Sequence, residues 1–296
     1  MPAEHASNQQ TSSQSGPSDP AGSSVPSTRP MSIRPGITSV LAALAASLLL
    51  LFLLAPIGEL IIEGAVPGIR QLATDAELRA ALALTGLTAT IATLLGVATG
   101  TPLAYLLARH NFRGRGLLSA LLDLPLVIPH PVAGIALLLV FGRQSAVGGV
   151  LLSAGLRVVG TPIGIVCAML FVSVPLYVSG AREAFARVDP RFESVARTLG
   201  DGAWSVFRRI TLPLAGRGIL AAAVVMWARA VSEFGAIVIL TYNPKTVGVL
   251  SYDRFTTYGL REAIPVAAVL VLIALLPLAL LRTLRGDRVT NAGGKR

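Results

Sequence analysis

The sequence predicts an all-α polytopic membrane protein with six transmembrane helices, and three observations lead there. The chain of 296 residues is 53% hydrophobic and 14% charged, with mean hydropathy +0.69, whereas about a quarter of the residues of a soluble domain are charged. Its apolar residues gather into six runs, and a helix of about 20 such residues crosses the hydrocarbon core of a bilayer. Its basic residues crowd into alternate connecting segments, as they do in membrane proteins that keep their positive loops in the cytoplasm.

Residues 1–35 are rich in Ser, Pro, Gln and Gly. Such a segment buries too little apolar surface to offset the entropy of ordering, so a disordered tail is expected. It also lacks the basic start followed by a short apolar core that marks a cleaved secretory signal. The predicted spans cover residues 37–62, 79–108, 116–141, 162–178, 218–240 and 262–281, the fourth being the shortest. Together they define a membrane domain over 36–284, followed by a basic tail over 285–296. Six crossings put both termini on one side. With that side inside, seventeen basic residues fall on cytoplasmic segments and seven on outer ones, so both termini and segment 179–217 are expected in the cytoplasm.

This distribution also explains the net charge of +10. In a soluble chain it would suggest nucleic acid; here it is mostly topological, with attraction to anionic headgroups second. Cys167, the one cysteine, reads as a small buried apolar side chain, and His5, His110 and His130 lack the spacing of metal ligands. No cofactor or metal is expected on this chain.

Segment 179–217 is the long polar interruption of the second half. Asp189 is placed to cap a helix over 190–198, with Pro190 at its first position and Gly200 closing it in the left-handed conformation. A second run over 203–210 is expected to stop before Pro213, because a residue preceding proline disfavours the helical region. The prediction is therefore a cytoplasmic hairpin of helix, glycine turn, helix and proline.

Elsewhere, Gly96, Gly100, Pro102, Pro125, Pro129, Pro131 and Pro175 lie inside the spans. They serve either close helix packing or hinges around a translocation path. Pro125, Pro129 and Pro131 rule out a regular helix through the third span and expose backbone groups beside His130. Ionisable groups within hydrocarbon cost roughly 2.5–3.5 kcal/mol and normally face protein or water. Asp123, Arg229 and Glu233 are such groups, the last two one i,i+4 step apart with Ser232 between them. Arg229 and Glu233 are either a structural pair or part of a path or its gate; His130 is either satisfied by freed carbonyls or an anion contact.

The hairpin sequence Ser194-Val195-Ala196-Arg197-Thr198-Leu199-Gly200, nine residues and then Ile210-Thr211-Leu212-Pro213 resembles the coupling loop of ABC importer permeases. The spacing from Ala196 to Gly200 and from Gly200 to Ile210 matches that pattern. Ser194 and Val195 stand where the family has Glu and Ala, and Glu193 sits one place early. Segments 123–136, 229–236 and 242–246, the last continuing through Tyr252-Asp253-Arg254-Phe255 to Gly259-Leu260, resemble permeases of sulfate, molybdate and tungstate importers. The resemblance covers about residues 37–284. It implies a type I importer permease in a prokaryotic inner membrane, acting as a homodimer with two ABC ATPase subunits and a periplasmic or lipid-anchored binding protein. ATP and Mg would sit on the ATPase, since the chain lacks a phosphate-binding G-x-x-x-x-G-K-[ST] loop. The resemblance implies coupling through Ser194, Val195, Ala196, Gly200, Ile210, Leu212 and Pro213. Asp123, Pro129, His130, Arg229, Ser232 and Glu233 are the candidate path or gate residues. ATPase closure would move the hairpin as a lever and alternate access to a tetrahedral oxyanion, molybdate or tungstate first, sulfate or thiosulfate otherwise. An ion-coupled secondary transporter or channel using Asp123 and Glu233 is the alternative from another class, although no internal inverted repeat is evident. A membrane-embedded assembly subunit without a path is a further one.

Overall fold

The computed structural model describes residues 37–286. The expected tail over 1–35 lies outside the described residues, as does the expected basic tail except Arg285 and Gly286, which end the last helix. The chain divides into two compact units, Met1–Phe52 and Leu53–Arg296. The described part of the first unit is the opening of helix α1 (Ile37–Thr74), whose side chains from Thr38 to Phe52 are exposed. Everything below concerns the second unit.

Its spans begin with α2 (Ala76–Arg109), capped by Asp75, whose carboxylate accepts the Leu78 amide at 3.0 Å. Six threonines in α2, including Thr85, Thr90 and Thr101, donate their hydroxyls to the carbonyl four residues back, which hides the polar group within the helix itself. The predicted third span is two helices, α3 (Arg115–Val127) and α4 (His130–Phe141), bent by 113° at the break. The bend falls where Pro129 and Pro131 flank His130 and cannot donate to a helical ladder. After the short α5 (Ala146–Ser153), α6 (Pro162–Ala186) runs eight residues past the predicted end of the fourth span, so Ser179, Arg182 and Glu183 belong to its last turns.

The hairpin comprises α7 (Pro190–Thr198), α8 (Ala203–Val206) and a π-helical turn (Phe207–Thr211). The turn passes directly into α9 (Leu212–Val231), so the helix does not stop before Pro213 as expected. The Leu212 amide bonds the Phe207 carbonyl five residues back. This widened turn relieves the clash between a proline ring and the preceding turn, and Pro213 then stands in the first turn of α9, where no amide donor is needed. The second arm of the hairpin is thus the start of the fifth span. That span ends at Val231; α10 (Gly235–Leu240) is separate, and Glu233 lies in the break between them rather than inside a helix. Then come α11 (Val247–Tyr258) and α12 (Leu260–Gly286).

Neighbour relations decide how the bent pair counts. Gly96 faces Leu170, Gly100 faces Tyr177 and Val178, and Arg109 reaches Val188, so α2 and α6 run parallel. The chain must therefore return across the membrane between them. α3 lies beside the end of α6, with Asp123 near Ser179 and Arg182, while Ala133 and Leu137 of α4 pack with Ile165 near its start. The bent pair makes that return and is one broken span, which brings the five long apolar helices to six crossings. α9 runs antiparallel to α6: Gly180 meets Ala222 and Gly218 meets Ala184. A β-carbon at Gly180 would lie 2.8 Å from that of Ala222, so the missing side chain is what permits this helix spacing. α12 packs against α9 and α11, and its Val266 joins the buried cluster that also holds Leu78, Val247 and Leu250.

Candidate functional site

Two groups of residues singled out in the sequence come together, at different depths. The first is the hairpin. Asp189 accepts the Arg191 amide at 2.9 Å and Pro190 opens α7, as their order predicts. Gly200 has φ +96°, a conformation in which a side chain would clash, and the Asp201 amide bonds back to the Ala196 carbonyl. α7 buries Glu193 and Ala196 and turns Phe192, Val195 and Leu199 outward; together with Trp204 these make an exposed apolar row. Ser194 is exposed, its hydroxyl donating to the Pro190 carbonyl at 3.2 Å. Ile210 and Leu212 are half-buried and Pro213 is exposed.

The residue that sequence reasoning undervalued here is Glu193. Its carboxylate accepts from Arg109 Nε at 2.9 Å, Thr211 Oγ1 at 2.9 Å and Tyr105 OH at 3.3 Å, and lies 3.7 Å from Arg197 NH2. Arg109 also donates to the Val188 carbonyl at 2.9 Å. The Glu193 and Arg109 side chains are only 7% and 10% exposed. One carboxylate therefore ties α7 to the end of α2 and to the π-helical turn that leads into α9. The available signal was its i,i+3 spacing from Ala196, which puts both on the inward face of α7.

The second group forms where two helix breaks meet. Arg229, in the last turn of α9, donates through NH2 to Glu233 Oε2 at 2.8 Å and to His130 Nε2 at 2.8 Å. The same Arg229 nitrogen lies 3.4 Å from His130 Nδ1, which is 3.8 Å from Glu233 Oε2. The other Glu233 oxygen accepts the Ala236 amide at 2.8 Å and so caps α10. Pro129 stands at the N-cap of α4, immediately before His130. Ser232 only bonds back to the Arg229 carbonyl, at 3.1 Å, and points outward. Asp123 does not join the cluster; it lines a small cavity with Ser119, Ser179 and Arg182 beside the last turns of α6.

The start of α2, opposite its hairpin end, holds a third network. Lys245 Nζ lies 2.7 Å from Asp253 and 3.0 Å from Glu77, and Arg254 pairs with Asp75, joining α11 to the start of α2. Lys245 and Tyr242 hold the Asp253 carboxyl below the ordinary carboxylate range. Burial pushes the Asp75 carboxyl upward, but the Leu78 amide and Arg254 outweigh it and leave it lowered.

Residues 100–286 match the family described as the binding-protein-dependent transport system inner membrane component. The chain belongs to this family. The permease is thus a multi-pass inner-membrane translocation subunit and not an enzyme. It is 43% identical over 202 residues to the molybdate/tungstate transport system permease protein of Thermococcus kodakarensis, which covers 68% of the permease and 76% of that relative. It is 32% identical over 248 residues to the sulfate transport system permease protein of Synechocystis, covering 81% and 90% of the two chains. A bacterial ABC transporter involved in the import of the acidic polysaccharide alginate superposes with TM-score 0.64 at 18% identity, covering 86% of the permease and 96% of that chain; at this identity the likeness establishes the fold.

Proposed function

We propose that the permease moves a tetrahedral oxyanion, molybdate or tungstate, across the inner membrane, driven by a separate ABC ATPase that docks on the hairpin. The observation that carries the coupling is the geometry of α7. Its apolar row of Phe192, Val195 and Leu199 faces outward, while Glu193 on the opposite side holds the helix to α2 and α9. A partner pressing on that row displaces α7, and the Glu193 contacts pass the displacement to the fifth span. Ser194, Val195, Ala196, Gly200, Ile210, Leu212 and Pro213 make up this lever. Positive charge at the hairpin end of α2, α6 and α9 supports a cytoplasmic position for that face and for both termini. ATP and Mg are held by the ATPase, two copies of which serve a homodimer of this chain.

The substrate class rests on relatives. A probable molybdenum ABC transporter permease of Haloferax volcanii is 41% identical over 234 residues, covering 79% of the permease and 86% of that chain. Sulfate is the second reading, supported by the Synechocystis relative. A solved alginate transporter of the same fold is in complex with a periplasmic protein, which supports an outer binding protein here. Pro129, His130, Arg229, Ser232 and Glu233 line or gate the path, and Asp123 belongs to its inner half. Uptake of labelled molybdate, tungstate and sulfate in cells with and without the permease tests the proposal. Uptake of molybdate or tungstate that depends on the chain supports it, and equal uptake of all three removes the oxyanion reading.

A further inference from the structure

The break between α3 and α4 and the break between α9 and α10 pack against each other. A β-carbon on Gly235 would lie 2.6 Å from that of His130, and one on Gly134 would lie 2.7 Å from the Ala236 carbonyl. Their depth follows from α2. Trp227, two residues before Arg229, donates its indole N–H to Thr90 Oγ1 at 3.1 Å. At about 1.5 Å per residue, Thr90 stands roughly 21 Å from the start of α2 and roughly 28 Å from its end. The charged cluster therefore sits deep within the span, where an ionisable group normally marks a path.

Exposure within the cluster is sorted by charge. The Glu233 side chain is 1% exposed, Arg229 22% and His130 43%. The anionic member is thus the least exposed of the three. Among the described residues, Arg229 makes hydrogen bonds through NH2 only, which leaves its Nε and NH1 hydrogens available. A partly exposed guanidinium with unused donors suits oxygen ligands around a central atom. Glu233 fixes that guanidinium in place and competes with any anion for its charge.

We propose that Arg229 and His130 form a transit site for a tetrahedral oxyanion at the crossing of the two helix breaks. Glu233 is its built-in competitor, which keeps the anion weakly held so that it leaves again. This rests on the oxyanion reading above. A purely structural ion pair predicts that removing either partner has the same sign of effect; a transit site predicts opposite signs.

The test measures equilibrium retention of labelled molybdate by the full-length permease purified with its transport partners, together with uptake in cells. Arg229→Gln and His130→Gln should each lower retention about tenfold or more, the loss expected for a hydrogen bond to a charged group. Glu233→Gln keeps an acceptor for the Ala236 amide and the same volume. It should raise retention about tenfold while slowing uptake, because a competing charge is gone. If Arg229→Gln fails to assemble, Arg229→Lys serves instead: it keeps the charge, loses the planar fork that holds Glu233 and His130 together, and should weaken retention. Retention that falls in Glu233→Gln as it does in Arg229→Gln, or that changes in none of the variants, overturns the site while wild-type uptake leaves the transport reading standing. A wild-type chain that imports none of molybdate, tungstate and sulfate overturns the transport reading and the site with it.

Discussion

Replacing Glu193 by Gln tests whether α7 is a rigid lever. The side chain keeps its length and one acceptor oxygen, so Thr211 or Tyr105 can still donate to it, but the charge opposite Arg109 is lost. Arg109 is 10% exposed and its remaining contact is the Val188 carbonyl, so its charge cannot move into water without opening the hairpin. Breaking a buried pair by removing one partner costs about 3–5 kcal/mol, and the retained oxygen places this change at about 3. Because about 1.4 kcal/mol is a factor of ten, amides of α7 that exchange by local opening should exchange on the order of 100-fold faster. Hydrogen–deuterium exchange on peptides covering residues 190–200 of the full-length permease reads this directly, with α6 as the internal reference. Import should fall more than ATP hydrolysis, since the engine still turns over while its movement is lost in the loosened joint. Acceleration below about threefold, or equal acceleration throughout α6, would refute the assignment of Glu193 as the clamp.

Three more expectations follow from the geometry. Gly200→Pro removes the left-handed closure at φ +96° and should abolish co-purification with the ATPase while membrane insertion is unchanged; intact co-purification counts against docking. Gly180→Val drives a side chain into Ala222, 2.8 Å from the added β-carbon, and should destabilise by about 1–3 kcal/mol, seen as a lower melting temperature that Ala222→Gly partly restores. At the start of α2, the lowered carboxyls of Asp253 and Asp75 give a stabilisation that is complete above the unfolded carboxylate pKa of about 3.9 and lost as pH falls through the lower folded values. Lys245, raised by its bond to Asp253 despite burial, loses its share only as pH rises through its elevated value. Protection of α11 amides, corrected for intrinsic exchange, should therefore be flat through neutral pH and fall in strong acid; a change centred near neutrality would contradict these pairs.

Much of this was legible in the residues because the causes are local. Asp189, Pro190 and Gly200 set the ends of α7 through backbone sterics and one capping bond, and Pro129 and Pro131 forced the break in the third span. The fifth span was misjudged at both ends for the opposite reason. A proline rule that holds for an α-helix does not hold after a π-helical turn, and hydropathy cannot show that a chain turns aside at Ser232–Phe234.

The sequence by itself determined the class and the number of crossings, because transfer of apolar runs into lipid depends on composition along the chain. Only the tertiary structure decided which polar groups meet. Glu193 finds Arg109 across 84 residues and Arg229 finds His130 across 99. Those encounters depend on α2 and α6 running parallel and on glycines that let helices touch, and packing between distant segments leaves no periodic trace in either segment alone.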